Sequence, residues 1–252
     1  MSTYLYCLLT PPKIDSVPPG LLGIAGAPVR SLVLEGPSAI EAWVATVDDA
    51  QLRVRGEAFA AQALLHNEIV NAAMTTGRTP APARYGSRFA DDATCLADLE
   101  RRHRELGSVL AQVADAIEMG VLLVPTTSPR AAASRAKSAE PSAGRRYLES
   151  IRARIREEED VRTAAEGEAA RMDSLLGGII RDSRRNMTPS LAMSIAYLIR
   201  RDSLSECRAR LRSFQPIDRF RLVLGEPRAP YSFASPKAPG SGHESGSQNR
   251  SD

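Results

Sequence analysis

The chain has 252 residues, 43% of them apolar, and its 33 basic and 30 acidic side chains leave a net charge of +3. That is enough apolar material for ordinary cores, and no apolar run approaches the ~18 residues of a membrane span. Only Lys13, Lys137 and Lys237 of the basic residues are lysines, and the arginines interleave with acids, as in Arg154 to Arg162. A nucleic-acid binder would segregate its charge onto one face.

In chain order, Tyr4 to Leu9 is an apolar, aromatic run ended by Pro11-Pro12, which predicts a strand rather than a signal peptide, since no basic stretch precedes it. Cytoplasmic residence is the default expectation. Gly20 to Gly26 reads as a loop, and its glycine spacing is not a dinucleotide fingerprint. Val29 to Leu34 and Glu41 to Val47 are further strand candidates. A helix is predicted over Glu57 to Thr75, with Phe59, Ala63, His66, Val70 and Ala73 at helical spacing. A second helix is expected from an N-cap at Asp91-Asp92 to about Ile117, carried by Leu96, Leu99, His103, Leu106, Leu110, Val113 and Ile117.

Glu118 to Val124 reads as a strand, and Arg145 to about Gly177 as a long charged helix. Ile179 to Arg184 is a short strand candidate, followed by the apolar Ser190 to Arg200. Ser203 to Phe214 is a helix with Ser203 as N-cap and Glu206 at capping-box spacing. Ile217 to Leu224 alternates as a strand. The order β-α-β-β-α-β is that of the split βαβ, ferredoxin-like arrangement. The fold class expected is therefore α+β in two domains: residues 1–117, then a ferredoxin-like domain over 118–233 with a flexible insertion at 125–142, then a disordered tail over 234–252. Both unpacked segments are small, polar and Pro-containing.

Candidate chemistry is sparse. Cys7, Cys95 and Cys207 are far apart and only His66, His103 and His243 accompany them, so no zinc site or other metal site is expected. His66 and His103 fall near apolar helical stripes, the setting of packed histidines; a hydrolase using His66 would need a nearby acid and nucleophile. The Glu157 to Asp160 run reads as a solvated face. Only Phe220 is available in the last strand to stack a base, which argues against an RNA-recognition module. In APARYGSRFADDAT (Ala81 to Thr94), Arg84 and Arg88 flank Tyr85 and Phe89 around a turn at Gly86. An arginine among apolar neighbours calls for a carboxylate, and Glu68 and Glu118 are the candidates.

These stretches, taken in order, resemble the gas vesicle protein F/L family. They are the opening Tyr4-Leu5-Tyr6, GIAGAPV (Gly23 to Val29), His66 in a helix, PARYGSRFAD (Pro82 to Asp91) and EMGVLLV (Glu118 to Val124). GRRYLESIRAR with Tyr147, IAYLIRR with Tyr197 and the closing PRAPYSF (Pro227 to Phe233) complete the series. Pro82, Arg84, Tyr85, Gly86, Ser87 and Phe89 stand at the positions of the family's P-x-R-F-G-T-x-F core. At the end, Pro227, Pro230, Tyr231, Ser232 and Phe233 match the family's G-P-W-P-P-Y-S-F, while Glu226, Arg228 and Ala229 depart from it. The resemblance implies a non-enzymatic protein without cofactors, located at gas vesicles in the cytoplasm. It would take part in vesicle assembly by binding the hydrophobic shell protein, other accessory proteins, or both, with neither nucleic acid nor membrane as partner. The alternative is a ferredoxin-like module that binds a small regulatory molecule. Pro227 and Pro230 favour extended backbone, which would set Tyr231 and Phe233 on one side, packed back onto the protein or docked on a partner.

Overall fold

The computed structural model describes residues 1–11, 17–36, 39–126, 143–188, 190, 192–217 and 219–235. Most of the expected insertion (127–142) and the tail from residue 236 lie outside the described residues. The chain is a mixed α/β protein with two antiparallel sheets, and its contacts group it into two compact units. One unit holds residues 1–70, 80–112 and the chain from Phe233; the other holds 71–79 and 113–232.

In the first unit, β1 (Ser2–Leu9) lies inside the sheet, between β3 (Ile40–Val47) on one side and β4 (Ala81–Pro82) and β5 (Arg88–Phe89) on the other. β2 (Arg30–Leu34) closes the far edge against β3. Every residue of β1 is buried, which accounts for its unbroken apolar and aromatic sequence, since a strand covered on both faces has no reason to alternate. After a single-turn helix α1 (Asp49–Leu52) comes α2, which spans Glu57–Thr75 as predicted. Phe59, expected on its core face, is instead 48% exposed.

The helix expected from Asp91 to Ile117 is two helices and the start of a strand. Asp91 does cap it, its carboxylate accepting the Thr94 amide at 2.7 Å. α3 (Asp92–Arg101) and α4 (His103–Val113) are then separated at Arg102. Asp115, at φ 54°, turns the chain into β6 (Ala116–Pro125), so Ile117 belongs to a strand. Aspartate visits this left-handed region more readily than most residues.

In the second unit the sheet order is β7 (Ile180–Met187), β8 (Met193–Arg200), β6, β9 (Phe220–Leu224), with every neighbouring pair antiparallel. α5 (Ala143–Leu175) and α6 (Leu204–Ser213) connect these strands. The core combines Val161, Ala165, Ala169 and Met172 of α5 with Met119, Tyr197 and Leu211. The capping box expected at Ser203 does not form. Ser203 ends a 3-10 turn (Arg201–Ser203) with ψ 3°, outside the extended backbone an N-cap needs, and its hydroxyl donates to Asp202 instead. Arg201 also binds the carbonyls of Met74 and Arg78 at 3.2 and 3.0 Å, which holds residues 71–79 to this unit.

Candidate functional site

In the first unit, β1 and α2 together organise the RYGSRF turn. His66 is 2% exposed and hydrogen-bonds at both ring nitrogens: Nδ1 to the Tyr4 hydroxyl (2.9 Å) and Nε2 to the Ala83 carbonyl (3.2 Å). A carbonyl only accepts, so Nε2 carries the hydrogen and the Tyr4 hydroxyl donates to Nδ1. That hydroxyl in turn accepts the Gly86 amide at 3.0 Å. Gly86 has φ +87°, a conformation open to glycine and strained for most other residues. The Ser87 carbonyl accepts from the Leu5 amide (2.9 Å), and the Ala83 amide donates to the Tyr6 carbonyl (2.9 Å). The turn is thus held from β1 and α2 at once.

The rings of Tyr4, Tyr6, Tyr85 and His66 pack with centroids 4.9–6.3 Å apart, in tilted and edge-on arrangements. Tyr85 also meets Phe59 edge-on at 5.0 Å and donates to Gln62 at 2.8 Å. Burial pushes the His66 imidazole down to about 4 and the Tyr6 phenol up to about 12. His66 is therefore neutral at pH 7, with both ring nitrogens engaged in hydrogen bonds. The GIAGAPV loop closes the cluster from the other end, where the Tyr6 hydroxyl accepts the Ile24 amide at 2.8 Å. A Cβ on Gly23 would stand 2.1 Å from that hydroxyl.

Among the described residues, neither Glu68 nor Glu118, the carboxylates expected for this segment, pairs with Arg84 or Arg88. Arg84 is exposed and makes no ion pair among the described residues, whereas Arg88 pairs with Asp49 at 3.3 Å. Glu118 is fully buried in the second unit and is occupied there. Arg228 donates to its Oε1 from Nε (2.9 Å) and Nη2 (2.6 Å), and Ser232 donates its amide to Oε2 (2.7 Å) and its hydroxyl to Oε1 (3.0 Å). The Glu118 and Arg228 backbones also exchange two hydrogen bonds, at 2.9 and 3.0 Å. Arg228, a departure from the family's ending, is thus the residue that fastens the closing segment to β6. Sequence reading missed this pair because 110 positions separate its members.

The extended strip expected at Tyr231 and Phe233 is a 3-10 turn (Tyr231–Phe233). At three residues per turn, positions two apart do not share a face. Phe233 is fully buried, Pro230 is buried and Tyr231 half-buried, so Phe233 packs inside the protein. Tyr197 is likewise buried. Its hydroxyl donates to Asp173 at 3.0 Å, and burial together with that carboxylate raises its pKa. Tyr147 differs from all of these, being 65% exposed on α5. The three cysteines are buried free thiols, and among the described residues no three His, Cys, Asp or Glu side chains converge to hold a metal. No described helix is long and apolar enough to cross a membrane.

Fold and site together define a mixed α/β protein of two antiparallel-sheet units, each tied internally by a buried polar knot, the second carrying a 33-residue helix. The model of one family, gas vesicle synthesis protein GvpL/GvpF, matches residues 2–235, and the chain belongs to that family. Two crystal structures share the fold. The gas vesicle protein GvpF from Anabaena sp. PCC7120 superposes with a TM-score of 0.72 at 17% identity, over 94% of this chain and 99% of that one. GvpF from Microcystis aeruginosa gives 0.65 at 17% identity, over 93% and 99%. No curated protein sequence matches the chain significantly. Family membership implies a role in gas vesicle formation.

Proposed function

We propose that the chain serves gas vesicle formation as a non-enzymatic accessory or minor structural protein in the cytoplasm. It binds the hydrophobic shell protein, other accessory proteins, or both, and α5 carries the contact. A 33-residue helix is about 50 Å long, while the eight-residue strands beside it span about 26 Å. Among the described side chains of α5 burial begins at Val161, and none from Tyr147 to Asp160 is buried, although Glu157 pairs with Arg219 at 3.2 Å. Within that stretch, Tyr147, Ile151 and Ile155 recur every four residues beside Leu148. Tyr147, Leu148 and Ile155 are 65%, 55% and 45% exposed, and this single observation carries the reading. Such a stripe on an uncovered helix fits the apolar face of a partner.

The strand order β7-β8-β6-β9, all antiparallel, supports reading the second unit as a ferredoxin-like domain and the two units as domains. Coexpression with the shell protein and the other vesicle accessory proteins, followed by affinity capture, tests the function. Retention of at least one of them by the native chain, and its loss in a Tyr147→Ser, Leu148→Ser, Ile155→Ser variant, is the expected outcome. Capture of none sinks the reading.

A further inference from the structure

In the first unit a cleft of about 170 Å³ opens between β4 and β5 on one side and α3 and α4 on the other. Leu5, Leu8, Phe89, Leu99, Leu106 and Val109 supply its apolar lining, and Arg84, Asp98 and Arg102 its charges. Small-molecule sites run to about 300–1,000 Å³, whereas about 150 Å³ holds one benzene ring. The cleft therefore suits one large apolar side chain rather than a whole metabolite. Its charges are unequal in their needs. Arg102 pairs with Glu105 through Nε (3.1 Å) and Nη2 (2.8 Å), and lies 3.6 Å from Asp98. Arg84 has no carboxylate among the described residues, although the turn that carries it is held by hydrogen bonds from His66, Tyr4, Tyr6 and Leu5. Tyr85 is bonded to Gln62 of α2, whereas Arg84 lines the cleft.

We infer that this cleft is a docking site for an acidic, apolar peptide segment of a partner protein. One aromatic or branched aliphatic side chain enters between Phe89 and Leu106, and a neighbouring carboxylate pairs with Arg84. Because the backbone that carries Arg84 is already pinned, only its side chain remains to be ordered when the guanidinium takes a carboxylate. The site is separate from the α5 stripe and does not depend on which protein that stripe meets.

The test is a titration of the full chain with acetyl-Glu-Leu-Phe-Glu-amide, followed by amide chemical shifts. The control peptide carries Gln at both Glu positions. The acidic peptide is expected to shift Ser87, Phe89, Leu99 and Leu106, and the Gln peptide to bind about tenfold more weakly. Arg84→Gln, an exposed substitution that leaves the melting temperature unchanged, gives the same tenfold loss, and Arg84→Lys recovers part of it. A chain ending at Ser235 binds as the full chain does. Equal binding of the two peptides, native-like binding by Arg84→Gln, or no shift at these residues at ~10 mM peptide would overturn the inference. So would binding that appears only in the shortened chain, which would make residues 236–252 the occupant.

Discussion

Lowering the pH from 7.5 to 5 removes stability through His66. Its imidazole titrates near 4 in the folded protein because burial disfavours the charged ring. In the unfolded chain it titrates near the ordinary ~6.5. Above that value both states are neutral and the pair contributes nothing to pH dependence. As the pH falls below it, the unfolded chain takes up a proton that the folded protein refuses, so folding weakens progressively until the folded ring titrates. Integrating proton uptake between the two values gives a loss of about 2 kcal/mol at pH 5, rising to about 3 below pH 4. The neighbouring Tyr6 and Tyr85 phenols are raised and do not titrate in this window. Carboxylates elsewhere also respond to acid, but equally in a His66→Gln variant. Urea unfolding of both proteins at pH 7.5 and 5 should therefore show the native advantage over His66→Gln shrink by about 2 kcal/mol. An advantage of the same size at both pH values would refute the buried, neutral His66.

Other perturbations follow from the same geometry. Gly23→Ala drives a methyl into the Tyr6 hydroxyl and costs about 1–3 kcal/mol by urea unfolding. Arg228→Ala strips two charge-assisted hydrogen bonds from the buried Glu118 and costs about 2 kcal/mol; a neutral result would mean that Ser232 alone satisfies the carboxylate. Phe233→Ala empties a fully buried site and costs about 3–5 kcal/mol, measured as a fall in the urea midpoint. Tyr147→Ala changes stability by less than about 0.5 kcal/mol, since that ring is mostly in water.

What the sequence revealed was local. The apolar spacing of Ala63, His66, Val70 and Ala73 gave α2 both of its ends, and the alternation of elements from Glu118 onward gave the second sheet its connectivity. The errors arose where one local signal had two readings. Val113 and Ile117 continue a helical 3-4 spacing, but the turn at Asp115 leaves only a weak mark in the sequence, so the strand start looked like helix. Ser203 and Glu206 have capping-box spacing, yet a preceding 3-10 turn removes the backbone that the box requires. The partners of the candidate residues were not legible at all. Glu118 meets Arg228, and His66 meets Tyr4 and Ala83, because chain pairing at the sheet and packing of α2 on it join distant segments, and no local pattern encodes those pairs. The exposed stripe on α5 was hidden in a long charged helix, of which only the Glu157 to Asp160 run reads as a solvated face. Only the start of burial at Val161 separates its packed part from its exposed part.

The exposed part of α5, from Tyr147 to Asp160, is proposed to bind a vesicle component. Replacing the native chain in vesicle-forming cells with the Tyr147→Ser, Leu148→Ser, Ile155→Ser variant tests it most directly, scored by gas vesicle yield at matched protein level. The variant is expected to accumulate as a folded protein while vesicles are lost or sharply reduced. Vesicles at native yield would contradict it.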